Sequence, residues 1–107
     1  MLFRSNDLLV FDSALGPSNV DTIYNYSPAN DTIALDNLVF SALSEGVLDP
    51  NAFAIGSSAA DASDRIIFDP VTHALYYDAD GTGAIAQVQF ALLNIGANLT
   101  AGDFIVT

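Results

Sequence analysis

The apolar residues of this chain fall in short runs, each closed by Gly, Pro, Asn, Asp or Ser. Seven such runs, Leu8–Phe11, 22–26, Thr32–Leu35, 65–68, 73–78, 85–92 and Phe104–Val106, are rich in β-branched and aromatic residues, the types that fit a pleated, half-buried surface. Seven strands in 107 residues predict an all-β fold: a sandwich, roll or barrel-like module. At most one short helix is expected, over 36–43, where Asp36 stands in an N-cap position, Leu38, Val39, Phe40 and Leu43 are apolar, and Gly46 follows. The stretch 56–64 is small and polar and reads as a loop. No linker divides the chain, so residues 1–107 form one domain with a single modest core, to which Ile66, Tyr76, Phe90 and Leu92 are expected to contribute.

Charge narrows the function. Hydrophobic residues make up 51% of the chain, so it is a folding sequence and not a disordered acidic tail. Thirteen acids face only Arg4 and Arg65, giving a net charge of −11. Such a surface repels nucleic acid and anionic membranes, both of which need clustered cations. No apolar run approaches the ~18 residues that cross a bilayer, which leaves no membrane insertion. The opening MLFRSNDLLVF has one arginine, no long apolar core and no small-residue cleavage site, and does not read as a Sec signal. Twelve of the acids are Asp, with Glu45 the one Glu. That excess points to turns, caps and oxygen-ligand loops, where a short carboxylate bonds nearby backbone or a hard cation. Adaptation to high salt is the rival reading, although there Glu normally rises too. The absence of cysteine excludes disulfides and thiolate metal sites.

Three local patterns stand out. Asp21-Thr22-Ile23 recurs ten residues on as Asp31-Thr32-Ile33, as successive rungs of a parallel β-solenoid would, or as two strands that each begin after an Asp-satisfied turn. Asp78-Ala79-Asp80-Gly81-Thr82-Gly83 has carboxylates two apart followed by glycines, like the first half of a calcium loop, with Asp78 and Asp80 as ligands. Its flanks are strands and Gln89 stands where a closing Glu would be, so it is not an EF-hand. The alternative is a hairpin turn joining 73–78 to 85–92. At the end, Asp103 is followed by Phe104, Ile105 and Val106. This is either a final edge strand or a segment that resembles the C-terminal tail presented to ATP-driven type I secretion machines.

Catalytic constellations are thin, and the chain is not expected to be an enzyme. His73 is the one histidine, in the tight 70–73 connection, so a two-histidine zinc motif is impossible. No Gly-x-Ser-x-Gly elbow, Walker loop or Rossmann glycine pattern occurs. Nothing marks a particular carboxylate pair as a glycosidase site. Arg65, next to Asp64, reads as a structural residue making an ion pair or backbone hydrogen bonds. The sequons beginning at Asn30 and Asn98 matter only in a eukaryotic source.

From about Phe53 to Thr107 the chain resembles the C-terminal module of bacterial RTX (hemolysin-type calcium-binding) proteins, also found at the end of serralysin-type secreted proteases. The residues that carry the resemblance are Asp64-Arg65-Ile66-Ile67-Phe68-Asp69, Leu75-Tyr76-Tyr77-Asp78-Ala79-Asp80-Gly81-Thr82-Gly83, Phe90-Ala91, Leu99 and Asp103-Phe104. The family pattern is roughly A-D-x-x-D-R-I-I-Y-D, then G-x-L-Y-Y-D-A-D-G-x-G, then F-A-x-L and L-x-x-x-D-F-x-V. Upstream, the two Asp-Thr-Ile segments are similar to the stretch leaving a calcium β-roll. Two departures are that His73 stands where the family has glycine and Phe68 where tyrosine is common. No Gly-Gly-x-Gly-x-Asp nonapeptide is present, so the repeats that ligate most of the family's calcium are not in this sequence.

The resemblance implies a β-roll end or cap within a longer, secreted, extracellular parent. Residues 1–36 would be strands leaving the roll, 53–98 capping strands and 99–107 the secretion tail. Calcium is the implied cofactor, with Asp21 and Asp31 joining Asp78 and Asp80 as ligands. The implied partners are the upstream β-roll of the same parent chain and a type I secretion transporter. An unpaired terminal rung aggregates unless covered, and the cap would cover it. Where calcium is scarce the Asp-rich parent stays unfolded by charge repulsion, fit for threading; outside, calcium neutralises it and lets the roll fold. On this reading, removing 104–107 costs little stability and stops export; if the segment is an integral strand, its loss removes burial worth ~3–5 kcal/mol. The rival expectations are a carbohydrate- or surface-binding β-domain using Tyr24, Tyr26 and Tyr77, and the non-catalytic tail of a secreted protease or lipase.

Overall fold

The computed structural model describes residues 8–12, 15, 20–23, 31–93 and 99–107. Arg4, Tyr24, Tyr26, Asn30 and Asn98, with the 24–26 part of the second expected strand, lie outside the described residues. The chain is all-β, and among the described residues no helix reaches seven residues. The described residues form nine strands: β1 (Leu8–Phe11), β2 (Asp21–Ile23), β3 (Thr32–Leu35), β4 (Gly46–Val47), β5 (Phe53–Ile55), β6 (Ile66–Phe68), β7 (Ala74–Tyr77), β8 (Val88–Leu93) and β9 (Phe104–Val106). Short 3-10 turns at Pro50–Ala52 and Ala101–Asp103 precede β5 and β9.

The strands make two sheets, one in the order β1-β3-β9-β4 and the other β2-β8-β7-β6-β5. The chain passes from the first sheet (β1) to the second (β2) and returns as β3, which lies parallel beside β1. β2 is likewise parallel to β8, and β3 to β9. The hairpins β6–β7 and β7–β8 are antiparallel. Phe11 of β1 meets Phe90 of β8 edge-on with ring centroids 5.2 Å apart, and Phe53 of β5 meets Phe104 of β9 at 5.5 Å. The sheets therefore face each other with β1 and β2 along one side and β4 and β5 along the other.

Between them lies one apolar core. Alternation along β1 turns Leu9 and Phe11 inward and leaves Leu8 and Val10 outside. Phe40 is fully buried and packs edge-on against both Tyr77 and Phe90, each at 5.1 Å, a preferred aromatic geometry.

Several expectations need correction. The segment 36–43 is a series of turns, not a helix. Asp36 does cap, its carboxylate accepting the Leu38 N–H at 2.9 Å and its carbonyl the Phe40 N–H at 2.8 Å, but the turn is not propagated, and Phe40 and Leu43 drop into the core. Tyr77 is buried and no surface aromatic: its hydroxyl oxygen accepts the Ala42 N–H at 2.9 Å. Tyr76 and Leu92 are half-buried, while Leu75, Ala91 and Leu93 take the inward positions beside Phe90. Tyr76 faces out by alternation between Leu75 and Tyr77, and Leu92 is turned out by a β-bulge: Leu75 pairs with Ala91 and Tyr76 with Gln89, so Phe90 is the extra residue on β8. β4 and β5 were not expected; strands of two and three residues carry no readable period.

Candidate functional site

The connection from β7 to β8 holds the aspartates that the sequence singled out. An Asp78 carboxylate oxygen accepts the Asp80 N–H at 3.2 Å, and Asp80 Oδ2 accepts the Ile85 N–H at 3.1 Å. The Asp78 N–H donates to the Arg65 carbonyl at 2.7 Å, tying the loop to the residue that enters β6. Gly81 is left-handed, with φ +69°, and a Cβ there would strike the backbone of Asp61 and Ala62. Only glycine meets both demands.

The facing 56–64 segment is a loop, as its composition suggested, and it is internally bonded. Asp61 accepts the Ser63 N–H at 2.9 Å and the Ser63 hydroxyl at 2.7 Å; Asp64 accepts the N–H groups of Ala60 and Asp61. The Arg65 guanidinium donates to the carbonyls of Ala62 and Asp64, at 2.7 and 2.9 Å. Of the two roles expected for Arg65, it takes backbone hydrogen bonding.

The same device recurs along the chain. Asp36, Asp49, Asp61, Asp69 and Asp78 each accept the N–H of the residue two positions on. Asp103 accepts the Thr100 N–H at 2.7 Å. These turns explain why the acids are Asp and not Glu: the shorter side chain reaches its own backbone.

Electrostatics single out two groups. Burial pushes the Asp78 carboxyl above its ordinary value, and the neighbouring Asp80 adds to the rise. The Ser63 hydroxyl and N–H hold Asp61 below its ordinary value.

Asp80 Oδ1 is buried without a hydrogen-bond partner, as is Gln87 Oε1. For a cation the loop thus offers a buried carboxylate oxygen on Asp80 that no hydrogen bond uses. Among the described residues no three His, Asp or Glu side chains converge as a metal-binding group. Asp78 and Asp80 are together; Asp21 and Asp31 are not with them. Asp21 is exposed on β2, opposite Ala91 and level with Leu75, whereas Asp31 is buried just before β3 on the other sheet. The two Asp-Thr-Ile copies are thus consecutive passes across the sandwich, not neighbours in one sheet.

The terminal segment is built in. β9 lies between β3 and β4, Phe104 and Val106 are buried, and Asp103 is buried in a capping box with Thr100. The expectation that this segment is peripheral to the core is overturned, because parallel pairing with β3 makes it a central strand.

A second feature went unread in the sequence. Among the described residues, β1 and β2 are the edge strands of their sheets, and they lie on the same side. Leu8 and Val10 on that edge are exposed. On the opposite side the edge strands are the two-residue β4 and the three-residue β5. Comparison with known proteins brings no relative: no protein-family model, no curated protein and no solved structure matches this chain.

Proposed function

We propose that this domain is a non-catalytic cap that closes the C-terminal end of a secreted, calcium-binding β-roll of the RTX type. The observation that carries the reading is that, among the described residues, β1 and β2 are edge strands on the same side. β1, β2 and β3 wind alternately through two facing sheets, with β3 parallel to β1, the path of one turn of a two-sheet parallel roll. A roll arriving from upstream would add parallel strands beside β1 and β2 and so cover its own last rung.

His73 fits the same reading. It is the one non-glycine residue at positive φ (64°) among the described residues, at the position where the family has glycine.

On this reading calcium is bound chiefly by the roll, and Asp78 and Asp80 contribute at most a weak site through Asp80 Oδ1. The segment from Asp103 to Val106 is read by a type I transporter while the chain is unfolded, and after export it becomes β9. Signal and strand are then successive roles of the same residues.

The test places an array of glycine-rich calcium nonapeptides ahead of this chain and follows its folding by circular dichroism as calcium is raised. The array is expected to fold when followed by this domain and to stay unfolded when followed by an unrelated acidic domain of similar size. Equal folding in the two fusions would sink the capping role.

A further inference from the structure

The outer face of the first sheet carries an ordered pattern that capping does not use. Val10 pairs with Ala34, Ala34 with Ile105 and Ile105 with Val47, so four apolar side chains stand in one row across all four strands. Val10 is 46% exposed and Val47 70%, Ile105 is half-buried, and Ala34 is fully buried. Leu8, 59% exposed, extends the row along β1.

The next outward row is polar and acidic. The ladder continues past the strands, with the Asp36 N–H donating to the Phe11 carbonyl, the Thr107 N–H to Leu35 and the Asn37 N–H to Thr107. Asp12, Asp36 and Thr107 therefore follow Val10, Ala34 and Ile105 on the same face, and Glu45 precedes Gly46 on β4. Asp12 and Glu45 are exposed. The face is an apolar band with an acidic border, and no basic residue lies on its strands.

We propose that this face docks a basic amphipathic segment of another protein, its apolar side on the Val10–Val47 row and its lysines or arginines on Asp12, Asp36 and Glu45. Charge decides the occupant. A second copy would bring the same acidic border and a net charge of −11 to its own image, and an anionic bilayer would be repelled. A cationic partner is attracted over distance and then buries the band.

The probe is a synthetic amphipathic helix of leucine and lysine, titrated against the full chain by calorimetry. Because an acidic protein attracts any polycation, the controls carry the weight. Binding is expected to fall roughly tenfold in Val10→Asp, and again in Val47→Asp, with both variants melting as the parent does because these side chains are exposed. A scrambled peptide of the same composition, and one with glutamate for lysine, should each bind at least roughly tenfold less tightly. Equal binding by the scrambled peptide, or indifference to both substitutions, overturns the proposal. A dimer in sedimentation that Val10→Asp dissolves overturns it in favour of self-association.

Discussion

Gly83 lies so close to the Asp80 carboxylate that a Cβ at position 83 would overlap Oδ2, and it is this approach that lets Asp80 hold the Ile85 N–H. The two glycines of the loop are not equivalent. At Gly81 an added Cβ meets backbone carbonyls and positive φ together; at Gly83 it meets only the end of a side chain. Gly81→Ala should therefore cost about 2 kcal/mol or more, through left-handed strain and a clash that backbone cannot yield to. Gly83→Ala should cost about 1 kcal/mol, the worth of the hydrogen bond lost when Asp80 swings away. Thermal melts of the two variants check the order, and the reverse order would contradict this account of the loop.

Asp78 makes stability depend on pH in the less common direction. Its folded pKa is raised above the ordinary value of 3.8, first by burial. The contribution of its protonated form is thus fully present below 3.8 and is lost as pH rises through the raised folded value. Asp78→Asn keeps an oxygen for the Asp80 N–H and removes the charge. The variant is expected to melt higher than the parent at neutral pH and alike below the unfolded pKa. A lower melting temperature at pH 7 would show that the charge itself is needed.

Calcium separates a self-bonded turn from a ligand loop. Asp80 Oδ1 is the unused oxygen, so a bound ion raises the melting temperature by mass action at millimolar calcium, and Asp80→Asn abolishes the rise. Magnesium is the control, since it dehydrates reluctantly. No shift with calcium in the parent protein would leave the loop as a hairpin connection.

The strand content was legible because β1 and β3 are bounded by aspartates on both sides and β9 follows Asp103. The Asp excess was legible too, since short carboxylates favour turns, and eight of the twelve aspartates now have backbone partners in view. Pairing was not legible. Nothing local in Phe104-Ile105-Val106 says that it inserts between β3 and β4, because parallel partners lie far away in sequence. The bulge at Phe90 could not be seen either, since a bulge is fixed by the partner strand, and it turned Leu92 out of the core. That β1 and β2 are edge strands among the described residues is a property of sheet order alone.

His73 closes the β6–β7 hairpin at φ 64°. Its N–H donates to the Asp69 carbonyl at 2.8 Å and its own carbonyl accepts the Leu93 N–H at 2.9 Å, so the backbone has no freedom to relax. A residue with a Cβ is strained there by about 1–2 kcal/mol. Glycine relieves the strain and loses part of the gain to unfolded-state entropy. His73→Gly should therefore stabilise by up to about 1 kcal/mol, while β-branched His73→Val should destabilise by more than that. Chemical denaturation of both variants decides the matter; a destabilised glycine variant would mean that the imidazole makes a contact of its own.

The terminal strand gives the sharpest division between the two roles assigned to it. Phe104 is fully buried, its ring lies 5.5 Å from that of Phe53, and β9 bridges β3 to β4. Phe104→Ala should cost about 3–5 kcal/mol. That is a large share of the ~5–15 kcal/mol that holds a small domain together, and deleting 104–107 is expected to unfold it. Export through a type I machine acts on the unfolded chain, so stability and secretion part company. Asp103→Asn, which keeps an oxygen for the Thr100 N–H, should leave the fold nearly intact while removing the charge ahead of the three apolar residues. Secretion of a passenger fused ahead of this domain, assayed in a cell with a matching transporter, is expected to fall for Asp103→Asn and to cease for the deletion. Undiminished export of the deletion would show that these residues serve only as a strand.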